Sequence, residues 1–212
     1  MILSDKDIKE NIEKGRIIIR PQPDYIIQLG ACSLDLHMGK DVKIFKYTEC
    51  PYIDLKDQKS IESIMTDMEI SDEKPFVLRP RDFILAITEE YIELPNDLMG
   101  RLDGRSSLGR LGLVVHSTAA RFDPGWKGKA VMEIGNMGII PIILYPGIRI
   151  CSMTFETLTH PVEIPYTKQA DHKYAGQDMP LASKIDKEIE RQVRLDLKDG
   201  SGRKIFEGKK NK

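Results

Sequence analysis

The stretch Leu113–Glu156 reads LVVHSTAARFDPGWKGKAVMEIGNMGIIPIILYPGIRICSMTFE and carries the clearest pattern for the fold. Four apolar runs follow one another here at short spacing, and Gly138, Pro146 and Gly147 supply turns between them. Many short strands with little helix between them are typical of an all-β sandwich or jelly roll. The strands predicted in this stretch are Leu113–Ser117, Gly128–Asn136, Ile139–Tyr145 and Arg149–Glu156.

The preceding residues continue this pattern. Ser4 is suited to cap a short amphipathic helix that Gly15 ends, and Ala31–Gly39 alternates like a half-buried strand. Further short strands are predicted at Phe76–Leu78, Phe83–Thr88, Tyr91–Leu94 and Leu98–Leu102. Between these two regions lies a polar segment that predicts a short helix or an ordered insertion, because its apolar residues have helical spacing: Ile61, Ile64, Met65 and Met68.

The pattern fades beyond residue 160. Residues 160–186 contain three prolines and a central glycine, which predicts an irregular arm rather than a core element. Residues 187–212 hold nine Lys or Arg against five Asp or Glu, which predicts a basic, solvated tail. We therefore expect one domain over residues 1–186, closed by the arm, and a separate tail.

The composition excludes several classes of protein. The 212 residues are 41% hydrophobic and 31% charged with a net charge of −1, which is typical of a globular protein and argues against a general nucleic-acid binder. No run is long and apolar enough for a membrane span, and the opening residues lack the apolar core of a signal peptide. Three scattered cysteines, Cys32, Cys50 and Cys151, indicate a reducing compartment, so we expect a cytoplasmic protein without membrane partners.

The segment Asp103–Leu113, DGRSSLGRLGL, is a candidate phosphate site. Its glycines allow close backbone approach, its serines can donate hydrogen bonds, and its two arginines offer planar forks suited to phosphate. It is not a Walker loop, because the GK[ST] ending is absent. The alternative is an ordinary Gly/Ser turn with two surface arginines.

Glu133 is a second candidate, because it lies within an otherwise apolar run, Ala130–Ile134. An ionised carboxylate on such a strand is costly unless it faces a polar pocket or is paired, and in a cavity it could act as a general acid/base. Strand alternation could instead turn it to solvent. His116 receives no role, and the histidines and cysteines are too dispersed to predict a protein-bound zinc or another metal site.

Six motifs, taken together, resemble the dCTP deaminase family within the trimeric dUTPase-like superfamily. The resemblance covers about residues 1–186 and leaves the tail outside. The motifs are MILSDKDI, ACSLDLHMG, EYIELPNDLMGRLDGRSSLGRLGL, HSTAARFDPGWKGKAVMEIGN, YPGIRICSMTFE and PYTKQADHKYAGQDMPLASKID, in this order along the chain.

The resemblance implies a mainly β, distorted jelly-roll or β-clip fold with a short N-terminal helix. It also implies a homotrimer with active sites between subunits, which hydrolyses dCTP to dUTP and ammonia for thymidylate synthesis. Magnesium would accompany the triphosphate rather than occupy a protein site, and dTTP is expected as an inhibitor.

The resemblance assigns roles to residues of both candidate segments and of the arm. Glu133 would be the general acid/base, supported at the reaction centre by Ser106 and Arg110. Ala119 would orient the water through its carbonyl, and Arg121 would contact the pyrimidine. The remaining substrate contacts would come from Arg105, Ser107, Leu108 and Gly109 on the phosphates, Asp123 on the 3′-hydroxyl, Val131 and Met132 beside Glu133 at the base, and Tyr166, Lys173 and Gln177 on the arm.

Two alternatives remain. A bifunctional deaminase and dUTP diphosphatase would release dUMP; Arg121 and the following FDPGW favour the form that only deaminates, because a small or aromatic pair would be expected at Ala120–Arg121 in the bifunctional form. The other alternative is a non-catalytic trimeric nucleotide sensor. The presence of Glu133 argues against it.

Overall fold

The N-terminal segment forms the predicted helix. A computed structural model describes residues 1–46, 52–169 and 172–189, and its first helix, α1, spans Asp5–Glu13. The Ser4 hydroxyl accepts a hydrogen bond from the Asp7 amide, and the Asp7 carboxylate accepts one from the Ser4 amide. This reciprocal pair satisfies two amides that a helix start leaves free. Ile8 and Ile12 face the core, as their spacing predicts.

Strands dominate the rest of the chain. They are β1 (Ile18–Arg20), β2 (Leu34–Phe45), β3 (Met65–Glu69), β4 (Phe76–Leu78), β5 (Phe83–Glu93), β6 (Leu98–Gly104), β7 (Leu113–Val115), β8 (Arg121–Phe122), β9 (Lys127–Asn136), β10 (Ile142–Leu144) and β11 (Arg149–Thr157). The other helices are short: α2 (Tyr25–Gln28), α3 (Gln58–Ser63), α4 (Ser106–Gly109) and a 3₁₀ turn at Tyr166–Lys168.

Within the described ranges, the strands form one large antiparallel sheet and one small one. The large sheet follows the order β7-β9-β5-β2-β11-β6-β8, with β1 added on β5 and β3 added on β2. Strands β10 and β4 pair separately. The large sheet encloses a core of alternating apolar side chains in which Leu34, Leu36, Met153 and Phe155 are fully buried. The predicted mainly β fold is confirmed.

Phe83–Thr88 and Tyr91–Leu94 were expected as two strands, but they form the single strand β5. Its pairing with β9 shifts register between Ile87 and Tyr91. The Thr88 hydroxyl bridges the irregular stretch, because it donates to the Glu90 carbonyl at 2.8 Å and accepts from the Ala130 amide at 2.9 Å. This side chain replaces strand hydrogen bonds that the bulge removes, which the sequence pattern does not reveal.

The polar segment before β4 is only partly helical. The helix α3 ends at Ser63, and Met65 and Met68 lie in β3 instead of continuing it. Strand β3 pairs with β2 over five residues, so pairing with a neighbouring strand outweighs the local helical spacing. The strand predicted at Ala31–Gly39 begins at Leu34 and continues to Phe45.

The arm is irregular over residues 160–169 and 172–184, apart from the 3₁₀ turn, as its prolines predict. Residues 185–189 are helical, and residues 190–212 of the basic tail lie outside the described ranges, as does Cys50. The boundary between domain and tail therefore stays a prediction. In the described part of the chain, no helix has the length and apolarity needed to cross a membrane.

Candidate active site

A cavity of about 310 Å³ lies between β9, the loop that follows β7, and the arm. Apolar and aromatic side chains form much of its wall, with a few polar groups among them. The lining residues are Leu85, His116, Ala119, Arg121, Phe122, Asp123, Trp126, Val131, Glu133, Tyr166, Tyr174, Gln177, Leu181 and Ser183. Such a mixture is typical of a site for a small organic ligand.

Strand β9 decides which side chains reach this cavity. Ala130, Met132 and Ile134 are fully buried in the core, whereas Val131 and Glu133 lie on the opposite face and line the cavity. The alternation of a strand requires this division. Glu133 therefore faces the pocket rather than bulk solvent. The Met132 side chain packs in the core, so only its backbone borders this face.

Thr118 holds the Glu133 carboxylate. Its hydroxyl donates to Glu133 Oε2 at 2.8 Å, and its amide donates to the same oxygen at 3.2 Å. Two donors on one oxygen fix the orientation of the carboxylate. Oε1 is then the oxygen available to a water or a ligand. Sequence reasoning missed Thr118, since a threonine in a loop carries no signal of its partner.

His116 shapes the loop that carries Thr118. Its φ is +66°, a left-handed conformation unusual for a residue other than glycine, and it ends β7 two residues before the predicted boundary at Ser117. Its amide donates to the Glu133 carbonyl at 2.9 Å, and its Nε2 lies 2.6 Å from the Ala119 carbonyl oxygen. Because a carbonyl only accepts, the Nε2 atom must carry the proton of this contact. The loop is thus tied to β9 and to itself.

Arg121 and Asp123 form a second polar group at the cavity. Arg121 Nε lies 2.8 Å from Asp123 Oδ1, and the arginine side chain is 67% exposed. Such an exposed pair contributes little to stability, so the guanidinium can turn to a ligand at small cost. Phe122 and Trp126 pack edge to face at 4.7 Å beside this pair and form the apolar floor.

The arm covers the cavity by extending the edge of β9. The Gly176 amide donates to the Lys127 carbonyl at 2.8 Å, and the Lys129 amide donates to the Gln177 carbonyl at 3.0 Å. Gln177 Nε2 adds a bond to the Lys129 carbonyl at 3.2 Å. The arm thereby brings Tyr166 and Gln177 to the cavity, and their contact with substrate stays a prediction.

Lys173 does not line the cavity. Its ammonium lies 2.5 Å from the carboxylate of Glu188, in the helical segment 185–189. A ligand that recruits Lys173 would have to compete with this ion pair.

The phosphate segment lies apart from the cavity. Within the described part of the chain, none of residues 105–110 contributes to the cavity wall. Arg105 caps the short helix α4, and Leu108 is partly buried, whereas the remaining members are exposed: Ser106, Ser107, Gly109 and Arg110. One chain therefore brings together Ala119, Arg121, Asp123, Val131, Glu133, Tyr166 and Gln177, but not the residues expected to bind phosphates.

The described residues contain no group of three or more His, Cys, Asp or Glu side chains arranged to hold a metal ion. The expectation that the reaction needs no protein-bound zinc stays a prediction.

The mainly β fold is shared by a solved deaminase structure. The crystal structure of 2′-deoxycytidine 5′-triphosphate deaminase from Agrobacterium tumefaciens matches with a TM-score of 0.58 and 20% identity, over 74% of this chain and 48% of that chain. This likeness concerns the fold alone.

The sequence comparisons are more specific. The sequence model of the dCTP deaminase-like family matches residues 2–158, and the chain belongs to this family. A relative from Thermomicrobium roseum, named dCTP deaminase, is 50% identical over 89% of this chain and 96% of its own length. A relative from Methanosphaera stadtmanae, named dCTP deaminase, dUMP-forming, is 45% identical over 89% of this chain and 96% of its own length.

We expect Gly128→Ala to loosen the arm. Gly128 has a φ of +141°, so an alanine there strains the backbone. Its Cβ would also lie 3.2 Å from the backbone N and O of Gln177, which crowds the contact between β9 and the arm. Limited proteolysis should cut the arm, residues 160–186, faster than in the parent protein. The control is Gly135→Ala on the same strand, whose Cβ would meet only the Asp82 carbonyl at 3.8 Å. Equal cleavage rates for both variants would contradict the described docking.

Proposed function

We propose that the protein hydrolyses the 4-amino group of dCTP to give dUTP and ammonia. The observation that carries the proposal is Glu133, a carboxylate that faces a ligand-sized cavity and is held there by Thr118. The names of the relatives support the choice of substrate, since the 50% identical relative is a dCTP deaminase.

The cavity suits a nucleoside. The pyrimidine would lie against Val131, with its exocyclic amino group towards Glu133 and its other edge near Arg121. Asp123 would accept a hydrogen bond from the 3′-hydroxyl, while Tyr166 and Gln177 close the site from the arm. An arm that excludes water strengthens the polar contacts made inside the cavity.

Glu133 would perform both proton transfers. It takes a proton from water and delivers it to N3 of the ring, which makes C4 electrophilic, while the hydroxide oxygen bonds to C4. Glu133 then takes the proton of the new C4 hydroxyl and gives it to the amino nitrogen as the C4–N bond breaks, which leaves the C4 carbonyl of dUTP and releases ammonia. Ala119 lines the cavity, and its carbonyl would orient this water, because a carbonyl oxygen can accept a second hydrogen bond beside that of His116.

The triphosphate would be bound by residues 105–110 of a neighbouring subunit in a homotrimer. Within one chain these residues lie apart from the cavity, but the base and the phosphates of one nucleotide must reach both. Arg105, Ser107, Leu108 and Gly109 would hold the phosphates, and Ser106 and Arg110 would approach the reaction centre. Magnesium would enter as part of the magnesium–dCTP substrate. Inhibition by dTTP stays a prediction.

Glu133→Gln should abolish ammonia release from dCTP while dCTP binding persists. The amide keeps the size of the side chain but cannot accept and return the proton, and general acid/base catalysis contributes a factor of about 10² to 10⁴. Turnover is measured as ammonia, and binding by calorimetry. The control, Glu89→Gln on the exposed face of β5, should retain the parent rate. Normal turnover by Glu133→Gln would remove Glu133 from its proposed role.

Co-expression of two inactive chains tests the shared site. Glu133→Gln and Arg110→Ala trimers should each be nearly inactive, but chains mixed in equal amounts should regain about one quarter of the parental activity, since one site in four then pairs an intact Glu133 with an intact Arg110. The same preparation made from Glu133→Gln alone is the control. A mixture without activity would show that both residues must come from one chain.

A second candidate, the bifunctional reaction, is favoured by relatives named dUMP-forming at 43–46% identity. We expect the parent protein to form dUTP and ammonia in equal amounts without pyrophosphate, because Ala120–Arg121 stands where the bifunctional form would have a small or aromatic pair, and Arg121 and the following FDPGW favour deamination alone. Phosphorus NMR of the products separates the reactions. Pyrophosphate released together with ammonia would establish the bifunctional activity, and dCTP binding without either product would favour a nucleotide sensor.

A further inference from the structure

A cluster of charged side chains lies outside the cavity, beside the start of the phosphate segment. Asp35 Oδ2 is 3.1 Å from Arg105 Nε and 3.2 Å from Arg149 Nη1. Arg105 Nη1 also donates to the Arg149 carbonyl at 3.1 Å. The Asp35 side chain is only 18% exposed and that of Arg105 only 28%, so water and salt screen these contacts less than those of a surface pair.

The order of the sheet brings these three residues together. Strand β11 lies between β2 and β6, and Ser152 on β11 is in register with Asp35 on one side and with Asp103 on the other. Arg105 follows β6 directly, and Arg149 begins β11. Three neighbouring strands therefore place one carboxylate and two guanidinium groups next to one another.

A buried hydrogen-bond network holds the backbone of Asp35. Gln28 Nε2 donates to the Asp35 carbonyl at 2.9 Å and to Glu90 Oε1 at 3.0 Å. The Glu90 side chain is 2% exposed, and its carboxylate also contacts the ring and the amide of His37. Each partner is satisfied, which makes the position of Asp35 costly to change.

These contacts fix the orientation of Arg105. Its carbonyl accepts hydrogen bonds from the amides of Leu108 and Gly109, both at 3.0 Å, which anchors its backbone to α4. Its guanidinium uses two of five N–H groups on Asp35 and on the Arg149 carbonyl. The other three N–H groups are free to donate to phosphate oxygens. Because the guanidinium is already held by Asp35 and Arg149, their direction is set before a ligand binds.

We propose that Asp35 is a positioning residue for triphosphate recognition, acting through Arg105. This inference rests on the proposed function, because it takes Arg105 as a phosphate ligand. Asp35 does not touch the nucleotide. It aligns one guanidinium directly and keeps Arg149 beside it, and because two cations outnumber one carboxylate the cluster still attracts an anion. A fixed donor loses less conformational entropy on binding than a free arginine side chain.

Asp35→Asn tests the proposal, because it keeps the size of the side chain and removes the charge that aligns Arg105. We expect KM for dCTP to rise between about 10-fold and about 100-fold, with a smaller change in kcat. Calorimetry should show the same loss for dCTP and no loss for deoxycytidine, which lacks phosphates. Asp35→Glu retains the charge and should recover part of the affinity. Asp67→Asn is the matched control, because it removes the charge of an exposed aspartate that pairs with Lys43 on β2, and it should leave KM unchanged.

Three results would overturn the proposal. Equal losses of affinity for dCTP and deoxycytidine, or a lower melting temperature with unchanged KM, would show that Asp35 only stabilises the fold. Tighter dCTP binding by Asp35→Asn would show that its charge repels the triphosphate. If Asp35→Asn does not fold, Asp35→Glu decides alone through the same comparison of ligands. The calorimetric comparison of dCTP with deoxycytidine needs no turnover. It can therefore be interpreted even if the parent protein releases no ammonia from dCTP.

Discussion

The pairing of β9 between β5 and β7 is the constraint on which the site depends. Hydrogen bonds on both edges hold its register, with Glu133 opposite Leu85 and Ile134 opposite Val115. A slip by one residue would exchange the two faces of the strand. Glu133 would then enter the apolar core, at the cost of burying an unpaired charge, and Met132 would enter the cavity. The hydrophobic core therefore enforces the direction of the proposed catalytic carboxylate.

The same strand organises the walls around this carboxylate. The His116 amide donates to the Glu133 carbonyl, which continues the pairing of β7 with β9 by one residue. His116 also begins the loop that brings Thr118 to Glu133 Oε2. At the other end of β9, the arm adds to the edge through Lys129 and Gln177. The base side of the site is thus built around one strand. The phosphate segment follows β6 instead, so its orientation is set by a separate part of the sheet through Asp35 and Arg149.

The sequence predicted the fold well where the pattern is local. Alternation and turn residues located the helix α1 and most strands, because burial and capping are set by neighbours along the chain. The Thr88 bridge within β5 and the strand at Met65 depend on partners distant in sequence, so no local pattern could show them. In the site, the odd carboxylate Glu133 was visible among apolar neighbours. Thr118 and Asp35 were not, since their importance lies in the side chains they contact.

A crystal structure with dCTP and magnesium would show whether one chain supplies the carboxylate cavity and another supplies the phosphate ligands. We expect the cytosine 4-amino group within hydrogen-bond distance of Glu133, and the triphosphate on residues 105–110 of an adjacent subunit. Arg105 should still be paired with Asp35. A nucleotide bound entirely by one chain, or a Glu133 side chain turned to solvent in the assembled protein, would contradict this shared site.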